Sequence, residues 1–229
     1  MSHDADWHDR RREGLGGSDI ATALGLDPYE PPSSIWRLKR GLAAPWSGND
    51  ATRRGQELEG TVLDRLCARA GVVRGPALAF VQHPRWDAGV RLLANLDGTT
   101  DAPTSGGVLE AKTTHPTSGT AHAYRRGGPP LAHVLQVHHY AACTQRTWGL
   151  MGCLIGAGEP GACELVALRF EAHPVLIQLL EETAADWWSR HIIADTPPAD
   201  ARHPLALEIS RLAGEVRFEV LPAHTGAHR

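Results

Sequence analysis

Asp97, Glu110 and Lys112 are the residues of this sequence whose types and order could do chemistry together. They lie in "NLDGTTDAPTSGGVLEAKTT", residues 95–114, where Asp-Gly is followed by a loop of small residues and then Glu-Ala-Lys. Side chains alternate along a strand, so the spacer Ala111 puts Glu110 and Lys112 on one face. A hairpin would return Asp97 to the same neighbourhood. Two carboxylates beside an ammonium suit phosphodiester hydrolysis. Hard oxygen donors hold one or two Mg²⁺ ions, which keep several waters, and the amine positions or deprotonates a water. The same residues also describe a solvated hairpin face with one salt bridge, so the elements around them have to decide.

Four-residue steps of Leu58, Val62, Leu66 and Ala70, with Leu63 beside them, predict an amphipathic helix from about Asn49 to Ala70, closed by Gly71. Glu59 rides on it and can supply a further carboxylate; Glu57, two positions earlier, points elsewhere. Beyond Gly71 the period shortens. Three strands, 76–82, 90–96 and 107–113, are expected as one antiparallel meander. A helix over 129–145 follows, with Gln136 and Tyr140 one turn apart on a shared face. The Gln136 amide can orient a water or a phosphate oxygen. "WGLMGCLIGAG" and "CELVALRFE" read as two more strands, and residues 173–192 as an amphipathic helix.

Residues 1–9 are expected to be loose. "GLGGSDIATALGL" reads as a Gly-rich turn, Ser18-Asp19 as cap material, and a short helix through Leu24; Ser33-Ser34 then cap a helix from Ile35 to Arg40. Arg11 and Ser18 flank the Gly-rich entry, where free N–H groups, a hydroxyl and a guanidinium favour a phosphate. The plainer alternative is a capping Ser18 and a solvated Arg11. After "DTPPAD" the chain turns polar, so residues 1–199 are expected as one domain and 200–229 as a peripheral tail or small appendage. The order of elements predicts an α/β fold, a central mixed sheet flanked by helices.

Composition removes other classes. A formal net charge of −3 over 229 residues excludes a generic basic coat for nucleic acid, while leaving room for basic residues confined to a groove. Cys67, Cys143, Cys153 and Cys163 form no C-x-x-C pair, which argues against a zinc knuckle or a clustered iron–sulfur site; buried thiols are expected. The thirteen histidines form no metal-binding spacing, and His138-His139, His224 and His228 are read as scattered polar residues. No apolar run approaches the ~20 residues of a membrane span, and the first residues lack a signal-peptide pattern, so the cytoplasm is the expected compartment.

Taken in order, "WHDRRREGLGGSDIATALGLDPYEPPSSIW", "GQELEGTVLD", "NLDGTTD…GVLEAKTT" and "HVLQVHHYAACTQ" resemble the YqaJ-type viral recombinase family. That group includes phage lambda exonuclease and belongs to the PD-(D/E)XK nuclease superfamily. The resemblance covers about residues 7–150. It implies a restriction-endonuclease-like core and Mg²⁺- or Mn²⁺-dependent 5′-to-3′ degradation of double-stranded DNA ends. It also implies a trimeric ring and a single-strand annealing protein as partner. Carried over by position, Asp97 and Glu110 are implied metal ligands with the Ala111 carbonyl as a third. Lys112 is the implied water-activating base, Gln136 its helper, and Glu59 a residue ordering waters or substrate. Arg11 and Ser18 match residues that hold a terminal 5′-phosphate, and Asn95 stands where a small hydroxyl residue would help. Leu96 occupies the place of the superfamily's proline. Two alternatives remain open: an endonuclease of the same superfamily, and a catalytically inactive DNA-binding module.

Overall fold

The computed structural model describes residues 5–44, 48–85, 89–101, 105–156 and 163–223. The end of the expected strand "WGLMGCLIGAG", together with His224 and His228, lies outside the described residues.

The chain opens with helix α1 (Ala5–Arg12), where a loose segment was expected. Tertiary contacts explain the difference: the Arg10 guanidinium carbon lies 3.9 Å above the Phe80 ring, and the Trp7 ring meets Phe80 edge-on at 6.4 Å. Strand β1 (Leu15–Gly16), a 3₁₀ turn over Gly17–Asp19 and helix α2 (Ile20–Ala23) follow. Helix α3 (Pro32–Lys39) begins three residues before the expected Ile35, because proline fits the first turn of a helix without losing a hydrogen bond. The long helix α4 (Asp50–Ala70) forms as its periodicity demands. Asn49 accepts the Thr52 N–H at its start, and Gly71, at φ 66°, closes it in the left-handed region that favours glycine.

The strands that follow, β2 (Leu78–Gln82), β3 (Leu92–Leu96), β4 (Gly98–Thr99) and β5 (Val108–Thr114), do not make the single meander expected. β3 is the centre of a three-stranded sheet, parallel to β1 and antiparallel to β2. β4 and β5 belong to a second sheet of five strands, ordered β4-β5-β6-β7-β8. Asp97 is the one residue between β3 and β4, so the chain changes sheets there. β5 pairs in parallel with β6 (Trp148–Ile155), and a parallel pair requires a crossover. Helices α5 (Gly119–Arg125) and α6 (Leu131–Thr144) provide it. α5 has only two turns, too few to leave a readable period in the sequence. Strand β7 (Glu164–Glu171) and helix α7 (Pro174–Trp188), extended by a wide turn to Ile193, complete the expected elements.

Residues 206–220 depart from the appendage expected for the C-terminus. Helix α8 (Ala206–Glu215) buries Ile209, Leu212 and Ala213 in the main core, and β8 (Phe218–Val220) pairs antiparallel with β7. The apolar positions of α8 are spaced for a helix face, but polar and Pro/His residues around them masked that pattern.

Two layers cover the five-stranded sheet. Val62, Leu63, Leu66 and Cys67 of α4 pack on Leu109, Leu150, Ala167, Leu154 and Leu165. On the opposite face Val108, Met151, Cys153, Val166 and Phe170 meet α6, α7 and α8. Strand alternation then assigns Ala111 to the α4 side and Glu110 with Lys112 to the α6 side. Among the described residues no helix is long and apolar enough to cross a membrane.

Candidate active site

Asp97 reaches β5 by hydrogen bonding: its Oδ2 accepts the Ala111 N–H at 2.9 Å. The N–H and C=O of one strand residue point to the same side, so the Ala111 carbonyl faces Asp97 as well. Glu110, 1% exposed, lies beside this pair and accepts from Lys112 Nζ at 2.5 Å through Oε1. Its Oε2 is buried and accepts from no N–H or other donor, and the Glu110 and Asp97 carboxyl groups lie within hydrogen-bonding reach of each other. A buried carboxylate oxygen without a partner is costly, so it marks a place for a donor or a cation.

The electrostatics agree. Burial, and then the neighbouring Asp97, push Glu110 up to about 8. Burial also raises Asp97, against the pull of Lys112 and the Ala111 N–H. Glu59 is raised by burial and by Asp97. Burial works against a charged Lys112, but Glu110 and Asp97 outweigh it and hold the proton on the amine. Three acids thus crowd one region, a conflict that a divalent cation would relieve. Among the described residues no three His, Cys, Asp or Glu side chains converge on one point. Asp97, Glu110 and the Ala111 carbonyl could together hold a hard divalent ion such as Mg²⁺ or Mn²⁺, which needs few protein ligands because it retains waters.

Gln136 and Tyr140 extend the cluster. Lys112 Nζ donates to Gln136 Oε1 at 3.1 Å, and Gln136 Nε2 donates to the Tyr140 hydroxyl at 2.7 Å. The ammonium can only donate, so it fixes the amide oxygen towards itself and leaves the amide N–H for the Tyr140 hydroxyl. The Tyr140 ring in turn lies against Gly17, where an added Cβ would stand 2.5 Å from Tyr140 Cε1. Only glycine permits that approach, so the Gly-rich turn and the α6 face are one assembly.

At the entry, Arg11 Nη2 donates to Ser18 Oγ at 3.0 Å and to Asp19 Oδ1 at 3.1 Å. Asp19 also accepts the Gly16 N–H, so that amide is not free for a ligand. Asn95 Oδ1 accepts the Phe80 N–H at 2.9 Å, holding Phe80 at φ 54° where the β2–β3 register shifts. A cleft of about 320 Å³ joins these groups; Arg11, Ser18, Glu59, Asn95, Asp97 and Tyr140 all line it. Glu110, Lys112 and Gln136 lie behind that lining, reached through Asp97 and Tyr140. A larger cleft of about 540 Å³ between α7 and residues 198–205 contains none of them.

Trp7 and Gln56 line the same cleft without having been singled out by sequence, as do Gly16, Gly17 and Ala77–Leu78–Ala79. Lys39 escaped notice too. It is buried on Asp19, and a lysine in a helix ordinarily reads as solvated. The indole of Trp7, four residues before Arg11, was the one legible signal.

The YqaJ-like viral recombinase domain matches residues 6–147. The chain belongs to this family. Its motif regions therefore coincide with the stretch that builds the cleft. A curated YqaJ-like relative, uncharacterized protein YqaJ of Bacillus subtilis (strain 168), is 26% identical over 202 residues, 87% of this chain and 59% of that protein. The chain thus spans well under two thirds of that relative's length. Among solved structures, the alkaline exonuclease LHK-Exo of Laribacter hongkongensis superposes with a TM-score of 0.64 at 21% identity, covering 82% of this chain and 92% of the other. LHK-Exo in complex with dAMP matches equally. A phage-related exonuclease from Haemophilus somnus 129PT gives a TM-score of 0.55 at 11% identity, with 80% and 96% covered. At these identities the likeness establishes the fold: this YqaJ-like chain has the mixed α/β architecture of phage-type exonucleases.

Proposed function

We propose that this YqaJ-like protein is a divalent-metal-dependent deoxyribonuclease that degrades double-stranded DNA from its ends, 5′ to 3′. One observation carries the reading: the buried Glu110 Oε2, which accepts from no donor, crowded against Asp97, whose own residue lines the cleft that Arg11 also lines. A purely binding module gains nothing from stranding a carboxylate oxygen there. The family membership and the exonuclease fold support it.

Asp97, Glu110 and the Ala111 carbonyl would hold Mg²⁺ or Mn²⁺. When bound, such an ion polarises the phosphoryl oxygen and stabilises charge on the leaving oxygen. The chain's own groups do the rest. Lys112 stands at the Glu110 carboxylate; a cation held by the two acids would cancel the pull that keeps the proton on its amine, leaving the amine to position the attacking water and take its proton. Gln136 holds Lys112 in place, and Tyr140 holds Gln136. Glu59 orders waters or the substrate from the far wall of the cleft. Arg11 and Ser18, with Asn95 supporting the adjoining bulge, receive the terminal 5′-phosphate, a dianion that a guanidinium recognises better than an internal diester. Water oxygen forms the new bond to phosphorus, the ester P–O bond breaks, and the leaving oxygen is protonated.

The ring-shaped trimer and the single-strand annealing partner belong to the same reading, and particle mass in solution tests the first. The decisive experiment compares linear and closed circular duplex DNA, with Mg²⁺ and with chelator. Degradation confined to linear DNA and abolished by chelator is expected. Cutting of the closed circle would replace the exonuclease by an endonuclease, and inertness on both would leave a DNA-binding module.

A further inference from the structure

The Lys39 side chain is 1% exposed and ion-paired with Asp19; burial lowers its pKa, and the Asp19 carboxylate pulls the other way, towards the charged form. Its Nζ lies 2.6 Å from Asp19 Oδ2 and donates to the Arg11 carbonyl at 2.8 Å. Asp19, itself 3% exposed, spends its other oxygen on the Arg11 guanidinium. Arg11 is thus fastened at both ends, its carbonyl by Lys39 and its guanidinium by Asp19. Buried ion pairs are seldom the cheapest way to fill a space, and apolar residues of similar volume often serve stability as well or better. Fastening α3 to α1 does not by itself explain why charges were used.

Charge counting does. Arg11 with Asp19 alone would be neutral, and a carboxylate 3.1 Å from the guanidinium would repel an incoming phosphate. Adding Lys39 makes the trio net positive while leaving Asp19 free to orient the guanidinium. Arg11 donates to Ser18 and Asp19 through Nη2; among the described residues its Nε and Nη1 make no hydrogen bond, and Arg11 lines the cleft. With both Nη2 hydrogens spent, the Nε and Nη1 hydrogens remain to donate singly to phosphate oxygens, and Ser18 and Asp19 fix the direction in which they point.

We propose that Lys39 and Asp19 are positioning residues of a 5′-phosphate subsite, fixing the Arg11 guanidinium while keeping that subsite net positive. The inference rests on the reading of the cleft as a nuclease site that takes 5′-ends, and it adds residues that never touch the DNA.

The test is the ratio of degradation rates on linear duplexes bearing 5′-phosphate and 5′-hydroxyl ends. A ratio does not depend on how much of the protein is folded, so it separates positioning from mere structural support. Lys39→Met and Asp19→Asn are measured beside wild type, each with its melting temperature. The wild type is expected to prefer 5′-phosphate. Each variant should lose about tenfold of that preference, chiefly through a raised KM for the phosphorylated end. Should Lys39→Met not fold, Lys39→Gln, which removes the charge but keeps a polar donor, takes its place, and Asp19→Asn tests the orientation of the guanidinium. A folded variant that melts lower but keeps the wild-type ratio overturns the inference and leaves the nuclease reading intact. Equal wild-type rates on both ends overturn the 5′-phosphate subsite itself, and this inference with it.

Discussion

Asp97 Oδ2 accepts the Ala111 backbone N–H at 2.9 Å, across fourteen residues of sequence. This bond pins the point where the chain leaves one sheet to the strand that starts the next. The antiparallel β4–β5 hairpin, with Gly98 opposite Leu109, carries Asp97 to the level of Glu110, as a hairpin between these segments was expected to do.

That geometry predicts the effect of neutralising either acid. Asp97→Asn and Glu110→Gln should each lower cleavage by about two orders of magnitude or more, since charge stabilisation at such a centre supplies several kcal/mol. Circular dichroism should show both folded. In chelator, Glu110→Gln should unfold at no lower urea concentration than wild type, because it removes a carboxylate that burial and Asp97 both disfavour. A variant with near-normal cleavage would remove that residue from the centre.

The chain Lys112–Gln136–Tyr140 makes a graded prediction. Lys112→Ala should abolish single-turnover cleavage while DNA affinity changes little. Tyr140→Phe leaves the Gln136 amide without its 2.7 Å acceptor, so the rate should drop by about tenfold, the scale of one lost buried hydrogen bond. If Tyr140→Phe cleaves at the wild-type rate, the amide does not need that anchor.

Removing residues 200–229 should prevent folding. Burying Ile209 and Leu212 contributes roughly 1.5–3 kcal/mol each, against a total stability of about 5–15 kcal/mol. The deletion also strips the Phe218 ring from Phe170, 5.7 Å away, and exposes the β7 edge. A soluble, cooperatively melting 1–199 fragment would contradict this.

The buried histidines set an acid limit. Burial lowers His138 to about 4, and lowers His139 to about 4 against the pull of the Leu93 carbonyl. Both folded values lie below the ordinary imidazole value. Their contribution is therefore complete above about pH 6.5 and is lost as pH falls through about 4. His138→Phe tests one of them, removing a buried Nε2 that has no partner. Relative to wild type, the variant should gain about 2 kcal/mol in urea unfolding on going from pH 7.5 to pH 5. An unchanged difference between the two proteins would show that His138 does not titrate on unfolding.

By itself the sequence determined the elements whose signals are local. Leu58, Val62 and Leu66 wrote α4 at a helix period, Gly71 ended it, and the alternation around Ala111 put Glu110 and Lys112 on one face. It also brought Gln136 and Tyr140 to one side of α6, since residues four apart on a helix must be neighbours. What it could not determine was pairing between distant segments. The split of the expected meander into two sheets depends on β1 and β6 competing for strand edges, and no period records that contest. The burial of Lys39 against Asp19 was equally invisible, because a lysine looks the same in sequence whether it faces water or a carboxylate. Local spacing fixes what is near along one element; which elements meet is decided by the packing free energy of the whole chain, and the cleft exists only where they meet.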